Sequence, residues 1–177
     1  MTNKINYKIL YTIVYIIFGL LFFIVLKQIF DAIDAYYDFV YYFIIMLYLF
    51  LGISLHIKQY KLSIITYYLT LFAFLFLRKT EPGINLNFYL FEWLKKIFTN
   101  KIIFLNIIGN IMLFIPLGII NKNILKSIII ILLIETLQLT LKKGIFDVVD
   151  IILNTVGVLL GFLGEKLWMI IKKKKKT

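Results

Sequence analysis

The chain has 177 residues, of which 62% are hydrophobic and only 16% charged, with a mean hydropathy of +0.96. A soluble domain is roughly half apolar, so a water-soluble globule of this length is excluded and a membrane-embedded bundle is expected. The absence of cysteine removes disulfides, thiolate metal sites and thiol nucleophiles, and the formal charge of +11 does not signal nucleic acid, because the basic residues cluster at the ends of apolar runs.

In chain order, the apolar runs give six candidate spans, at residues 9–26, 36–57, 62–77, 102–120, 124–141 and 151–171. About 20 apolar residues in a helix cross a hydrocarbon core of about 30 Å. The first run is long and no small-residue cleavage site follows it, so it reads as a signal anchor. The turn at residues 58–61 is short enough to make a helical hairpin of the second and third runs. Residues 78–101 mix Glu81, Glu92, Lys95 and Asn87 with Phe88, Tyr89, Phe91 and Trp93 after the break Pro82-Gly83, which suits an amphipathic segment at the interface before the fourth span. The fold class is therefore all-α, a polytopic transmembrane helical bundle of about six spans.

Orientation follows from lysine and arginine in alternate connections. Lys4, Lys8, Lys58, Lys61, Lys122, Lys126, Lys166 and the five lysines at 172–176 fall on one side, 12 against 8 on the other. That predicts a multi-pass plasma-membrane protein with both termini cytoplasmic, and a lysine tail suited to anionic lipid.

Polar residues inside the spans carry the functional signal. An ionisable side chain near a helix centre costs at least about 2.5 kcal/mol on insertion, so Glu135 needs a reason to be there. Gln138 shares its face, as Asn106 and Asn110 share one on the preceding span. If the last helix begins early, Asp147, Asp150 and Asn154 follow one another at helical spacing, and Gly157 and Gly161 continue that face as a GxxxG pattern for close helix packing. Pro116 and Gly118 read as a kink and a packing position.

The start of the fourth span, the end of the fifth and the start of the sixth must share one membrane face. Counted along each helix, Asn106 lies about 6 Å, Asn110 about 12 Å, Glu135 about 9 Å and Asn154 about 5 Å below it. These side chains can converge in the outer leaflet. One outcome is a hydrogen-bonded tie between three helices. The other is a pocket for a polar headgroup, with Glu135 as proton acceptor or cation partner and the amides as neutral hydrogen-bonding groups.

The stretches from Asn106 to Gly118, Glu135 to Gln138 and Phe146 to Gly157, closing with Gly161, resemble the VanZ-like membrane proteins in order and spacing. The resemblance divides the chain into N-terminal helices without signature (residues 1–83), a core (84–164) and a helix end with the lysine tail (165–177). It adds Asn85 to the pocket, through Asn85-Leu86-Asn87-Phe88, although the proline that the family has there is missing. The arginine that the family has shortly before the aromatic-aspartate pair is replaced by Lys142, Lys143 and Gly144. What the resemblance implies is an envelope protein of Gram-positive bacteria linked to low-level resistance to the glycopeptide teicoplanin.

The expected site is thus Asn85, Asn106, Asn110, Glu135, Gln138, Asp147, Asp150 and Asn154, packed on Pro116, Gly118, Gly157 and Gly161. Membrane lipids, and a lipid-linked envelope precursor or glycopeptide, are the expected partners; no cofactor, metal or nucleic acid is called for. The rival readings are an enzyme acting on a lipid headgroup, with Glu135 or Asp150 as base or cation ligand, and a small transporter or scaffold.

Overall fold

The computed structural model describes residues 7–32, 36–79, 86–87, 99–144 and 146–174. These residues form α1 (Tyr7–Ala32), α2 (Asp38–His56), α3 (Tyr60–Phe76), α4 (Lys101–Asn121), α5 (Ile124–Thr140) and α6 (Val148–Lys174). The two-residue strands β1 (Leu86–Asn87) and β2 (Phe146–Asp147) pair in parallel. About six spans were expected; six helices occur among the described residues. Among the described residues three segments are long and apolar enough to cross a membrane, namely α2, α4 and Val148–Ile171 of α6, while α3 is apolar but shorter. Most of the interfacial segment expected at residues 78–101 lies outside the described residues.

Large apolar side chains stay exposed along every helix, including Leu20, Tyr42, Leu69, Ile102, Leu133 and Leu163. Water would not tolerate that much apolar surface, and lipid tails would cover it. At the helix starts, polar side chains act as caps. The Asn100 side chain accepts hydrogen bonds from the Ile102 and Ile103 N–H groups, and that of Asn123 from Lys126 N–H, so each caps a helix start.

The contacts gather the helices into two units, Met1–Leu77 and Arg78–Thr177. In the first, α1 and α2 are joined by a reciprocal pair. The Tyr15 and Tyr48 rings stack at 4.7 Å, and each hydroxyl donates to the other's backbone carbonyl. Each ring lies over the glycine four residues beyond its partner, Tyr15 over Gly52 and Tyr48 over Gly19. The core of this unit is Leu26, Val40, Ile44, Leu47 and Ala73.

The expected α2–α3 hairpin is present. The buried Ser54 and Ser63 hydroxyls meet at 2.8 Å across it. At its turn Lys58 is left-handed (φ 59°), while Lys58 N–H donates to Leu55 O and Gln59 N–H to Ser54 O, the double bond of a Schellman stop. A non-glycine residue in that conformation carries a steric cost of about 1–2 kcal/mol, partly offset by glycine's greater freedom when unfolded. Lys58→Gly is therefore expected to stabilise the protein by about 0.5 kcal/mol, read as a small upward shift of the unfolding midpoint in detergent. A lowered midpoint would mean that the lysine charge at the helix end outweighs the strain.

In the second unit α4 and α6 form the main contact and α5 runs beside α6. Partners pair in rising order, Asn110 with Asp150, Gly118 with Val158 and Lys122 with Glu165, so α4 and α6 run parallel. The starts of α4 and α6 and the end of α5 thus share one end of this unit, as the alternation of spans requires. α4 continues unbroken through Pro116.

Candidate functional site

The α4–α6 crossing is unusually close. A Cβ placed on Gly157 would lie 2.2 Å from the Ile111 carbonyl oxygen, one on Gly161 2.0 Å from that of Ile115, and one on Gly118 2.1 Å from that of Val158. Backbone therefore rests on backbone at three successive points. This fixes the level at which the first turn of α6 meets α4. Val149 and Leu153 pack there on Ile107, with Ile103 and Ile111 around them.

Two hydrogen bonds then draw the polar groups together. The Asn110 amide Nδ2 donates to Asp150 Oδ1 at 2.6 Å, joining α4 to α6. Asn154 Nδ2, one turn on from Asp150, donates to Glu135 Oε1 at 3.2 Å, joining α6 to α5. Glu135, Gln138 and Asn154 are 3%, 6% and 2% exposed, whereas Asn110 and Asp150 are half-buried and form the more open side of the cluster. Asp147 precedes α6 and its Oδ1 accepts from Val149 N–H, so this carboxylate caps the helix.

The turn between α5 and α6 carries the remaining parts. Lys142 is left-handed (φ 54°), and Lys142 and Lys143 N–H donate to Leu139 and Gln138 carbonyls, which ends α5 in a Schellman stop. Lys143 Nζ donates to the Arg78 carbonyl at 2.8 Å. The Arg78 guanidinium lies 3.6 Å, and the Gln138 amide 3.8 Å, from the position a Cβ would take at Gly144. Its positive charge acts on both the Glu135 and Asp150 carboxylates. The strand pair sets Asn87 opposite Asp147, so the backbone of the segment before α4 borders the same turn.

Five of the eight expected residues, Asn110, Glu135, Gln138, Asp150 and Asn154, lie within this assembly, and Asp147 caps its helix. Asn106 is exposed, and Asn85 lies outside the described residues. His56 is exposed at the end of α2. Among the described residues no three histidine, aspartate or glutamate side chains gather closely enough to hold a metal ion. The arrangement can accept several hydrogen bonds and hold positive charge.

Arg78 is the residue that the sequence did not single out. It brings a guanidinium from the segment after α3 to the turn that has Lys142, Lys143 and Gly144 in place of an arginine. No spacing in the sequence links it to Glu135. The Lys122–Glu165 ion pair at 3.0 Å, at the far end of the crossing, was likewise not foreseen.

The sequence profile of the VanZ/LLP1 family matches residues 39–170. Neither a curated protein nor a solved structure matches the chain.

Proposed function

The chain belongs to the VanZ/LLP1 family, and from that membership we propose that this membrane protein lowers susceptibility to glycopeptides such as teicoplanin by engaging a lipid or lipid-linked envelope precursor at its polar cluster. The cluster faces the outer leaflet in this reading, with both termini cytoplasmic, as the lysine distribution favours. The observation that carries the proposal is the burial of Glu135, at 3% exposure, against Asn154 on a neighbouring helix. A carboxylate is an expensive way to join two helices inside a membrane, where a pair of amides or small residues would serve. Asp150, Asp147 and Arg78 beside it add charges that helix association does not need.

The test is teicoplanin susceptibility of a Gram-positive host that makes the parent or Glu135→Gln at equal membrane abundance. Glutamine keeps the size and most of the hydrogen-bonding capacity but removes the charge. Protection by the parent that is lost in Glu135→Gln is the expected result. Equal protection by both would reduce the cluster to a tie between helices, and protection by neither would remove resistance from this chain's role.

A further inference from the structure

Polar groups in the cluster are unequally matched. Asn154 is 2% exposed; its Nδ2 is committed to Glu135, and its Oδ1 has no hydrogen-bond partner. With Glu135 ionised, turning the amide over would not cure this, because the oxygen would then face the carboxylate and the NH₂ group would be stranded. The Asn110 amide is committed in the same direction, with its NH₂ on Asp150. Both asparagines thus give their donors to carboxylates, and a buried acceptor is left over.

Charge is unequal as well. Glu135, Asp147 and Asp150 bring three carboxylates to one end of the unit, and Arg78 brings a guanidinium to the same end. The Lys143 ammonium is held by the Arg78 carbonyl. Buried carboxylates need cations and N–H or O–H donors around them. We propose that the site takes a primary ammonium group, whose N–H donors reach the Asn154 carbonyl oxygen and the Glu135 and Asp150 carboxylates.

An ammonium supplies a donor for the orphaned Asn154 oxygen and a positive charge for the carboxylates, in a group about the size of a water molecule. A quaternary trimethylammonium carries the charge but no donor. A lone phosphate has the wrong sign. The ammonium can come from a lipid headgroup, with its phosphate toward the exposed Lys142, or from a small free amine. This inference deepens the proposed function and rests on that reading of the cluster as a headgroup site.

Phosphatidylethanolamine and phosphatidylcholine of identical acyl chains differ at the headgroup nitrogen alone. Native mass spectrometry of the full, delipidated chain in detergent, offered equal amounts of the two, should show the ethanolamine lipid retained at least about tenfold better, the scale set by hydrogen bonds to buried charged groups. The preference should collapse to under about twofold in Asn154→Leu and in Glu135→Gln, and persist in Asn106→Ala, whose side chain is exposed. Displacement of the lipid by free ethanolamine would assign recognition to the amine itself, and resistance to displacement would assign it to the whole headgroup.

Equal retention of the two lipids by the parent overturns the proposal, and that comparison needs no variant to fold. A preference that survives both Asn154→Leu and Glu135→Gln overturns it too, by placing recognition elsewhere. Loss of teicoplanin protection in Glu135→Gln without any lipid preference would sink the ammonium while sparing the headgroup site. A clear preference in a chain that gives no protection would do the reverse.

Discussion

Gly161→Leu is expected to part α4 from α6 and to leave little folded protein. The first side-chain atom would already lie 2.0 Å from the Ile115 carbonyl oxygen, with Ile115 carbonyl carbon at 3.0 Å and Ile119 N at 3.2 Å. These neighbours are backbone in an unbroken helix, so no rotamer change can make room. Overpacking a well-fitted interior typically costs about 1–3 kcal/mol, and forcing two backbones apart belongs at or above the upper end of that range. Gly164→Leu supplies the control, since a Cβ at that position meets nothing within 4 Å. It should change stability by no more than about 0.5 kcal/mol. Thermal or detergent unfolding of both variants checks the pair, and equal midpoints would show that the close crossing does not hold this unit together. Because the same crossing sets Asp150 opposite Asn110, any Gly161→Leu protein that survives should also lose the site.

Much of this crossing is legible in the residues themselves. Gly157 and Gly161 at a spacing of four mark a close approach, and Gly118 supplies the complementary small residue on α4. The alternation of spans then predicts which ends come together. Asn106 shows where this reasoning stops. It shares a helical face with Asn110, yet Asp150 on α6 lies level with Asn110, and one turn earlier α6 has not begun. Asn106 therefore rises past the end of its neighbour and is exposed. The offset between two helices is a tertiary quantity that periodicity within either one does not encode. Arg78 was hidden for a similar reason, as was the pairing of Leu86–Asn87 with Phe146–Asp147, because two residues carry no strand periodicity.

Helix lengths explain why charged groups can collect at this turn. α4 has 21 residues, about 31 Å, whereas α5 has 17, about 25 Å. If both begin from the short connection at Lys122 and Asn123, α5 stops short of the far interface and α6 starts there. The turn between them is then non-helical backbone near membrane depth, tolerated only where protein or a polar recess satisfies it. The Schellman stop, the Asp147 cap, the strand pair and the Lys143–Arg78 bond each satisfy part of that backbone. A shortened helix is thereby followed by a turn whose peptide groups are largely satisfied within the protein.

Whether the cluster is a tie or a site can be decided at the Asn110–Asp150 bond. At 2.6 Å it is short even for an amide donating to a carboxylate. Asn110→Leu should strand a carboxylate in a half-buried position and destabilise the protein by about 1–3 kcal/mol. The double variant Asn110→Leu/Asp150→Leu removes both polar groups and puts apolar surface in their place, so it should recover much of that loss. The coupling expected from the cycle is about 1–2 kcal/mol, near the upper range for hydrogen bonds between membrane helices. The decisive reading is taken on the recovered double variant. A cluster that only ties helices predicts that it protects against teicoplanin as well as the parent does. A cluster that holds a headgroup predicts a folded, abundant protein that no longer protects. A double variant no more stable than Asn110→Leu alone would instead show that Asp150 has partners strong enough to hold it without Asn110, with Arg78 the first to examine.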